Sequence, residues 1–218
     1  MKLPLVSPSY PGDVYDLLPS KIIGIGVNYR EHAKEMQKEL PEEPIVFLKP
    51  PSALLAPLGT ISAPMEYGRV DYEGELAVIM ARQARNLEER DALAHVLGYT
   101  CAIDVSVREL QKKDGQWARA KGFDTFCPVG PRIVGDIDPA DLKLVTRQNG
   151  LTRQSSRTSD LIFSVPKLIA FLSQVMTLEA GDMILTGTPQ GVGPMAAGDI
   201  IEVDIEQIGC LKVSVRPR

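Results

Sequence analysis

Short apolar runs, each stopped by glycine or proline, are the feature of this sequence that most constrains its fold. The runs at 21–27, 45–49 and 99–105 are rich in β-branched residues and contain five to seven residues. Runs of this length between turn-forming residues predict buried β-strands. Helical patterns occupy 86–98 and 166–176. Because strands outnumber helices and do not alternate with them regularly, we expect an α+β, β-rich fold and not a doubly wound one.

Composition and charge exclude several classes of protein. Of the 218 residues, 44% are hydrophobic and 24% charged, which excludes disordered and fibrous chains. A net charge of −4 and a pI of about 5.3 argue against a nucleic-acid partner, which would select a basic surface. No apolar run approaches the ~18–20 residues of a membrane span. Three widely spaced cysteines without a C-x-x-C pair fit a reducing compartment, so we expect a cytoplasmic protein without a membrane partner.

The organisation of the chain is simple. Residues 1–20 contain four prolines and are expected to form an N-terminal arm or a short hairpin. No low-complexity segment or linker divides the remainder, so residues 21–218 are expected to form a single domain.

Three carboxylates stand at the ends of apolar runs. Glu73 and Glu75 are separated by one glycine near the start of the run 71–80, and on a strand they would share a face, about 6.6 Å apart along it. Buried there, each ion would cost several kcal/mol unless a raised pKa, a cationic side chain or a divalent ion compensated it. Asp104 ends a second apolar run. With it, three carboxylates would form an all-oxygen site for Mg²⁺ or Mn²⁺, which favours the divalent ion among these three alternatives. The alternative is that Glu73 and Glu75 lie at a solvated rim.

The two histidines have different surroundings. Glu35 follows His32 by three residues in a segment of helical composition, so the two side chains share a face. The carboxylate can then hold one imidazole nitrogen and leave the other free as a general base. Such pairs are also common on solvated helices, and both interpretations stay open. His95, flanked by Ala94 and Val96 in a predicted helix, is expected only to pack.

Six motifs in series resemble the fumarylacetoacetate hydrolase superfamily, in the order of that family and over nearly the whole chain from about residue 21. They are G-V-N-Y-R-E-H-A-K-E (26–35), Y-E-G-E-L-A (72–77), A-I-D-V-S-V-R-E-L-Q (102–111), W-A-R-A-K-G-F-D (117–124), S-D-L-I-F-S-V-P (159–166) and G-D-M-I-L-T-G-T-P-Q-G-V-G-P (181–194). The chain is most similar to the short, single-domain acylpyruvases and oxaloacetate decarboxylases. The resemblance implies a mixed sheet rolled into a β-clip, a few peripheral helices, and a homodimer.

The resemblance also implies roles for single residues. Its ligands for Mg²⁺ or Mn²⁺ correspond to three carboxylates, Glu73, Glu75 and Asp104. His32 and Glu35 fall on a dyad that activates water. Lys121 and Gln111 fall on positions that line the substrate pocket, and Thr188 lies on a loop that binds the carboxylate of the substrate.

With these roles the resemblance implies a metal-dependent hydrolase that cleaves a C–C bond in a 2,4-dioxo acid, such as acetylpyruvate or fumarylpyruvate, and releases pyruvate. The ion would stabilise the enolate leaving group, His32 would deprotonate water, and Lys121 would stabilise charge on the distal carbonyl. The same enolate would serve an oxaloacetate decarboxylase or a 2-oxo-acid isomerase or tautomerase, which is the alternative enzyme. A non-catalytic relative is the alternative outside enzymes, and the intact pair of His32 and Glu35 argues against it.

Two segments would complete such a site. The loop Gly187–Gly193 lacks the G-K-[ST] of a P-loop, so its N–H groups are expected to hold a carboxylate. Segment 29–43 is polar and bounded by prolines, and we expect it to act as a lid over a small 2-oxo acid.

Overall fold

Seventeen strands and five short α-helices make up the described part of the chain, residues 1–8, 12–37 and 39–218 of a computed structural model. The strands are β1 (Lys2–Val6), β2 (Val14–Asp16), β3 (Ile22–Gly26), β4 (Ile45–Lys49), β5 (Leu54–Leu55), β6 (Thr60–Ala63), β7 (Val70–Tyr72), β8 (Gly74–Met80), β9 (Val96–Ile103), β10 (Ser106–Val107), β11 (Cys127–Val134), β12 (Lys143–Gln148), β13 (Leu151–Arg157), β14 (Met183–Leu185), β15 (Gly193–Pro194), β16 (Ile200–Ile205) and β17 (Gly209–Pro217). The helices are α1 (Arg30–Glu35), α2 (Glu89–Ala92), α3 (Arg108–Asp114), α4 (Ala118–Lys121) and α5 (Val165–Val175). Within the described ranges no helix is long and apolar enough to cross a membrane.

A nine-stranded mixed sheet carries most of the core. Its strands run in the order β2-β1-β11-β9-β8-β14-β3-β4, and β5 pairs with β11. Strand β8 is buried along its whole length, as a strand that is apolar on both faces requires. The N-terminal hairpin of β1 and β2 forms one edge of this sheet through parallel pairing of β1 with β11. This β-rich architecture with few helices confirms the predicted fold class.

Two smaller sheets meet the large one near β8. One has the order β13-β12-β16-β17-β6 and the other β10-β7-β15. The run 71–80 is therefore two strands in two sheets, and the prediction of a single strand is wrong. Gly74 begins β8 where β12 approaches closely, since a Cβ there would lie 2.1 Å from Thr146 Oγ1 of β12. Glu73 lies between the two strands.

The predicted helix over 86–98 is also wrong. Asn86 has a positive φ of 52° and makes no cap, and α2 has a single turn followed by a 3₁₀ turn at Leu93–His95. The chain then enters β9, which is mostly buried and pairs with β8 and β11. His95 Nδ1 lies 3.2 Å from the carbonyl oxygen of Asp91, so His95 has a local partner.

Asp182 ties the segment before β3 to the start of β14. Its side chain is fully buried, forms an ion pair with Lys21, and accepts hydrogen bonds from Ser20 Oγ at 2.7 Å and the Glu179 N–H at 2.8 Å. Burial by itself raises the pKa of Asp182, but the hydrogen bonds from Lys21, Glu179 and Ser20 outweigh it and hold the pKa below its usual range. The folded state therefore favours the ionised carboxylate.

We expect Asp182→Asn to lower the free energy of unfolding by about 2–3 kcal/mol at neutral pH, since it weakens charged hydrogen bonds to buried donors. A carboxyl whose pKa is lower in the folded state contributes stability above about pH 4 and loses it as the pH falls. The difference between variant and wild type should therefore shrink toward pH 2. Urea unfolding across this range measures it, and a difference independent of pH would contradict the argument.

Candidate active site

Three buried carboxylates converge where β7 and β9 end and β8 begins. Antiparallel pairing places Gly74 opposite Ile103, so Glu73 and Asp104 lie side by side just beyond the ladder, and the Asp104 N–H donates to the Glu73 carbonyl oxygen at 2.8 Å. One carboxylate oxygen of each of Glu73, Glu75 and Asp104 lies within 4.8 Å of the other two. The three residues are at most 6% exposed. The structure thus brings together the three predicted ligands, and none lies at a solvated rim.

Two buried lysines contact this triad. Lys121 Nζ donates to Glu73 Oε2 at 2.9 Å, to Ser106 Oγ at 2.8 Å, and to Asp104. Lys49 Nζ donates to the other oxygen of Asp104 at 2.6 Å. Both lysines are almost fully inaccessible to solvent. Each carboxylate oxygen of Asp104 therefore accepts a hydrogen bond from one of the two lysines.

Glu73 and Glu75 differ in their electrostatic surroundings. Burial raises the pKa of Glu73, but Lys121 and Arg108 outweigh it and hold that pKa well below its usual range. Burial also raises the pKa of Glu75, and the neighbouring Asp104 and Glu73 raise it further. The Gly187 N–H donates to Glu75 at 2.7 Å and compensates only part of this cost. Glu75 is thus the carboxylate whose negative charge is least balanced.

A second ion-pair cluster supports the triad from the side of β7. Asp71 is fully buried and accepts from Arg69 Nε at 2.6 Å and from Arg108 Nε at 2.8 Å. Arg108 reaches on to Glu73 Oε1 at 2.5 Å and to Gln111 Oε1 at 2.9 Å. Arg108 therefore joins Asp71 to the triad and places Gln111 beside it.

His32 of α1 lines a cavity beside the triad, and Glu35 of the same helix contacts its imidazole. His32 Nδ1 lies 3.0 Å from Glu35 Oε2, and the Gly191 N–H donates to both oxygens of Glu35 at 3.1 and 3.2 Å. The cavity has a volume of about 40 Å³ and is lined by His32 together with Glu73 and Lys121. With Nδ1 held by Glu35, Nε2 is the nitrogen that can exchange a proton with a bound molecule.

The loop Gly187–Gly193 binds carboxylates of the protein itself. Its Gly187 N–H contacts Glu75 and its Gly191 N–H contacts Glu35. Thr188 is buried, donates its hydroxyl proton to the Gly74 carbonyl oxygen at 2.9 Å, and accepts from Gln154 Nε2 at 2.8 Å. A hydroxyl has one proton, so in this arrangement Thr188 has none to donate to a substrate carboxylate. The expected role of Thr188 in substrate binding therefore lacks support from its contacts.

We expect Thr188→Val to act on stability. The variant removes the hydroxyl that donates to the Gly74 carbonyl and one of the two acceptors of Gln154 Nε2, which still donates to the Pro189 carbonyl. This loss should lower the free energy of unfolding by about 1–3 kcal/mol. Thr188→Ser, which keeps the hydroxyl, should retain most of that stability. Denaturant unfolding of both variants measures the effect. A raised KM without loss of stability would instead place the hydroxyl on the substrate.

Sequence reasoning missed three residues of the cluster, Lys49, Asp71 and Arg108. Lys49 ends the apolar strand β4 directly before two prolines, and Asp71 precedes Glu73 by two residues. For Lys49 the signal was a charged side chain at the end of an apolar strand, the same signal that identified Asp104, whereas Asp71 lies in the middle of β7. Arg108 lies inside a quoted motif but received no role.

The triad fits a hard divalent cation. Its carboxylate oxygens are close enough to share one ion, and they are the donors that Mg²⁺ and Mn²⁺ prefer. Burial and the charges of Asp104 and Glu73 raise the pKa of Glu75, and a cation next to Glu75 would offset that repulsion.

Comparison with known proteins gives consistent matches. The family profile described as "Fumarylacetoacetate (FAA) hydrolase C-terminal" matches residues 21–216. An uncharacterized protein of Archaeoglobus fulgidus is 54% identical over 90% of this chain and 78% of its own length. The mitochondrial oxaloacetate tautomerase FAHD2A of Bos taurus is 42% identical over 88% of this chain and 65% of its own. A crystal structure of 5-carboxymethyl-2-hydroxymuconate delta-isomerase from Mycobacterium smegmatis superposes with a TM-score of 0.88 at 47% identity, covering 95% of this chain and 84% of that one.

Proposed function

Since the chain belongs to the fumarylacetoacetate hydrolase family, we propose that it is a divalent-metal-dependent enzyme that forms the enolate of a short 2-oxo diacid. Its leading reaction is the tautomerisation or isomerisation of an acid such as oxaloacetate. The observation that carries the proposal is that His32, whose Nδ1 contacts Glu35, lines the same cavity as Glu73, a member of the buried carboxylate triad.

The triad would hold the metal. Glu73, Glu75 and Asp104 would bind Mg²⁺ or Mn²⁺, and the ion would supply Lewis acidity that stabilises negative charge on the 2-oxo oxygen. Arg108 donates to a carboxylate oxygen of Glu73, and Lys49 donates to one of Asp104, so these two cations orient two of the proposed ligands. Orientation of ligands by such hydrogen bonds sustains metal affinity.

His32 would move the proton. Glu35 holds Nδ1, and the Gly191 N–H fixes Glu35, so the imidazole is oriented with Nε2 free. As a general base, Nε2 would take a proton from the carbon next to the 2-oxo group and return it at another position. Since the proton is returned, the reaction needs no water.

Charge favours an anionic substrate. Four buried carboxylates (Asp71, Glu73, Glu75 and Asp104) face three largely buried cations (Lys49, Lys121 and Arg108), which leaves one net negative charge. A divalent ion turns this into one net positive charge, and Arg69 adds a partly exposed cation. Lys121 and Arg108 both line the cavity and would contact the carboxylates of a diacid.

Hydrolysis of an acylpyruvate is the second candidate. The oriented His32 would deprotonate a water molecule as readily as a carbon acid, and Lys121 would stabilise charge on the distal carbonyl. The similarity to proteins named as a tautomerase and an isomerase supports proton transfer as the leading reaction.

Two assays separate the candidates. Loss of the enol absorbance of oxaloacetate follows tautomerisation, and loss of the dioxo absorbance of acetylpyruvate follows hydrolysis, each with Mg²⁺ and then with EDTA. We expect tautomerisation to depend on the metal and to exceed hydrolysis. Faster metal-dependent hydrolysis would favour the second candidate, and no activity on either acid would overturn both.

A further inference from the structure

Two aromatic side chains separate the catalytic cavity from a larger groove. The cavity of about 40 Å³ lies on one side, and a groove of about 460 Å³ along β4 and residues 115–118 lies on the other. Among the described residues, Phe47 and Trp117 line both spaces. We call this pair, Phe47 and Trp117, the aromatic wall.

The aromatic wall packs against strand β3. Its two rings lie 5.2 Å apart with an interplanar angle of 57°. A Cβ on Gly24 would come within 2.1 Å of the Phe47 ring, and one on Gly26 within 2.9 Å of the Trp117 ring. Glycine in a strand often marks such a close approach. The sequence G-I-G of β3 therefore provides the space in which the wall packs.

The aromatic wall also touches the reacting centre. Lys121 Nζ lies 4.7 Å from the centre of the Phe47 ring and 5.8 Å from that of Trp117, within the range of a cation–π contact. The same ammonium group donates to Glu73 and Asp104. A molecule bound at the triad would therefore meet the wall within a few atoms.

We propose that the aromatic wall sets the length of the substrate, an inference that rests on the proposed function. The far end of the 2-oxo acid stops at Phe47 and Trp117, so the site takes short acids and rejects those with a bulky tail. The groove beyond the wall is lined by uncharged residues, mostly apolar. Removing a ring of the aromatic wall should therefore let the site bind acids with uncharged alkyl or aryl tails. A carboxylate tail would find no cation among the described residues that line the groove.

Binding of two unreactive probes to the full chain with saturating Mn²⁺ tests this proposal. Oxamate is short, whereas N-phenyloxamate carries the same head group with an aryl tail. We expect the wild type to bind oxamate at least about tenfold more tightly than N-phenyloxamate, a discrimination that one pocket wall can supply. In Trp117→Ala the ratio of the two dissociation constants should shift by at least about tenfold toward N-phenyloxamate.

Matched variants control the experiment. Leu48→Ala changes the groove but not the aromatic wall, so its ratio should equal that of the wild type. Trp117→Phe keeps a ring and should retain most of the discrimination, and Phe47→Ala opens the wall from the other side if Trp117→Ala does not fold. Equal affinities in the wild type, or an unchanged ratio in the opened variants, would overturn the proposal. Failure of the wild type to bind oxamate would instead count against the proposed function.

Discussion

Glu75→Gln is expected to weaken Mn²⁺ binding at least about 100-fold, more than the loss of an outer-shell partner typically costs. Glutamine keeps the shape of the side chain but removes one negative charge and one strong donor from a triad of three. Isothermal titration with Mn²⁺ measures the change. Catalytic activity that requires the metal should fall with it.

The stability of the same variant without metal provides the control. Burial and the charges of Asp104 and Glu73 raise the pKa of Glu75, so the folded state holds its proton more tightly than the unfolded state does. The wild type therefore loses stability as the pH rises from about 4.5 toward that raised pKa. Glu75→Gln should not show this loss. Undiminished Mn²⁺ binding, with an unchanged pH dependence of stability, would remove Glu75 from the metal site.

His32→Ala is expected to lower kcat by about 10²–10⁴-fold, the usual contribution of a general base. Mn²⁺ affinity should stay that of the wild type, since His32 is not among the clustered donors. Glu35→Gln should give a smaller loss, because the imidazole remains but its Nδ1 partner changes. Steady-state kinetics together with metal titration separate the two roles.

His95→Ala is the matched control for the histidine. Its imidazole contacts the carbonyl oxygen of Asp91, near the far end of β9, and should not influence kcat. Loss of a general base should lower kcat far more than about twofold. If the kcat of His32→Ala stays within that range of the wild type, another group moves the proton.

The sequence predicted the triad because its signal was local. Each of Glu73, Glu75 and Asp104 stands at the end of an apolar run, and antiparallel pairing of neighbouring runs brings such ends together. The spacing of His32 and Glu35 predicted their contact for the same reason.

The rest of the site depends on contacts between distant segments. Lys49 and Asp104 are 55 residues apart, and no local pattern pairs them. The run 71–80 divides between two sheets whose other strands are distant in the sequence, which turns one predicted strand into two. Thr188 was assigned to the substrate by resemblance, yet Gly74 and Gln154 take up its hydroxyl.

Exchange of the C3 hydrogens of oxaloacetate in D₂O, followed by NMR above the rate with Mg²⁺ alone, tests the central claim most directly. The wild type with Mg²⁺ should exchange them at least about tenfold faster than that background, since a positioned general base contributes more than this. Glu75→Gln and His32→Ala should each return the rate to the background. Exchange at the background rate in the wild type, or undiminished exchange in both variants, would contradict enolate formation at this site.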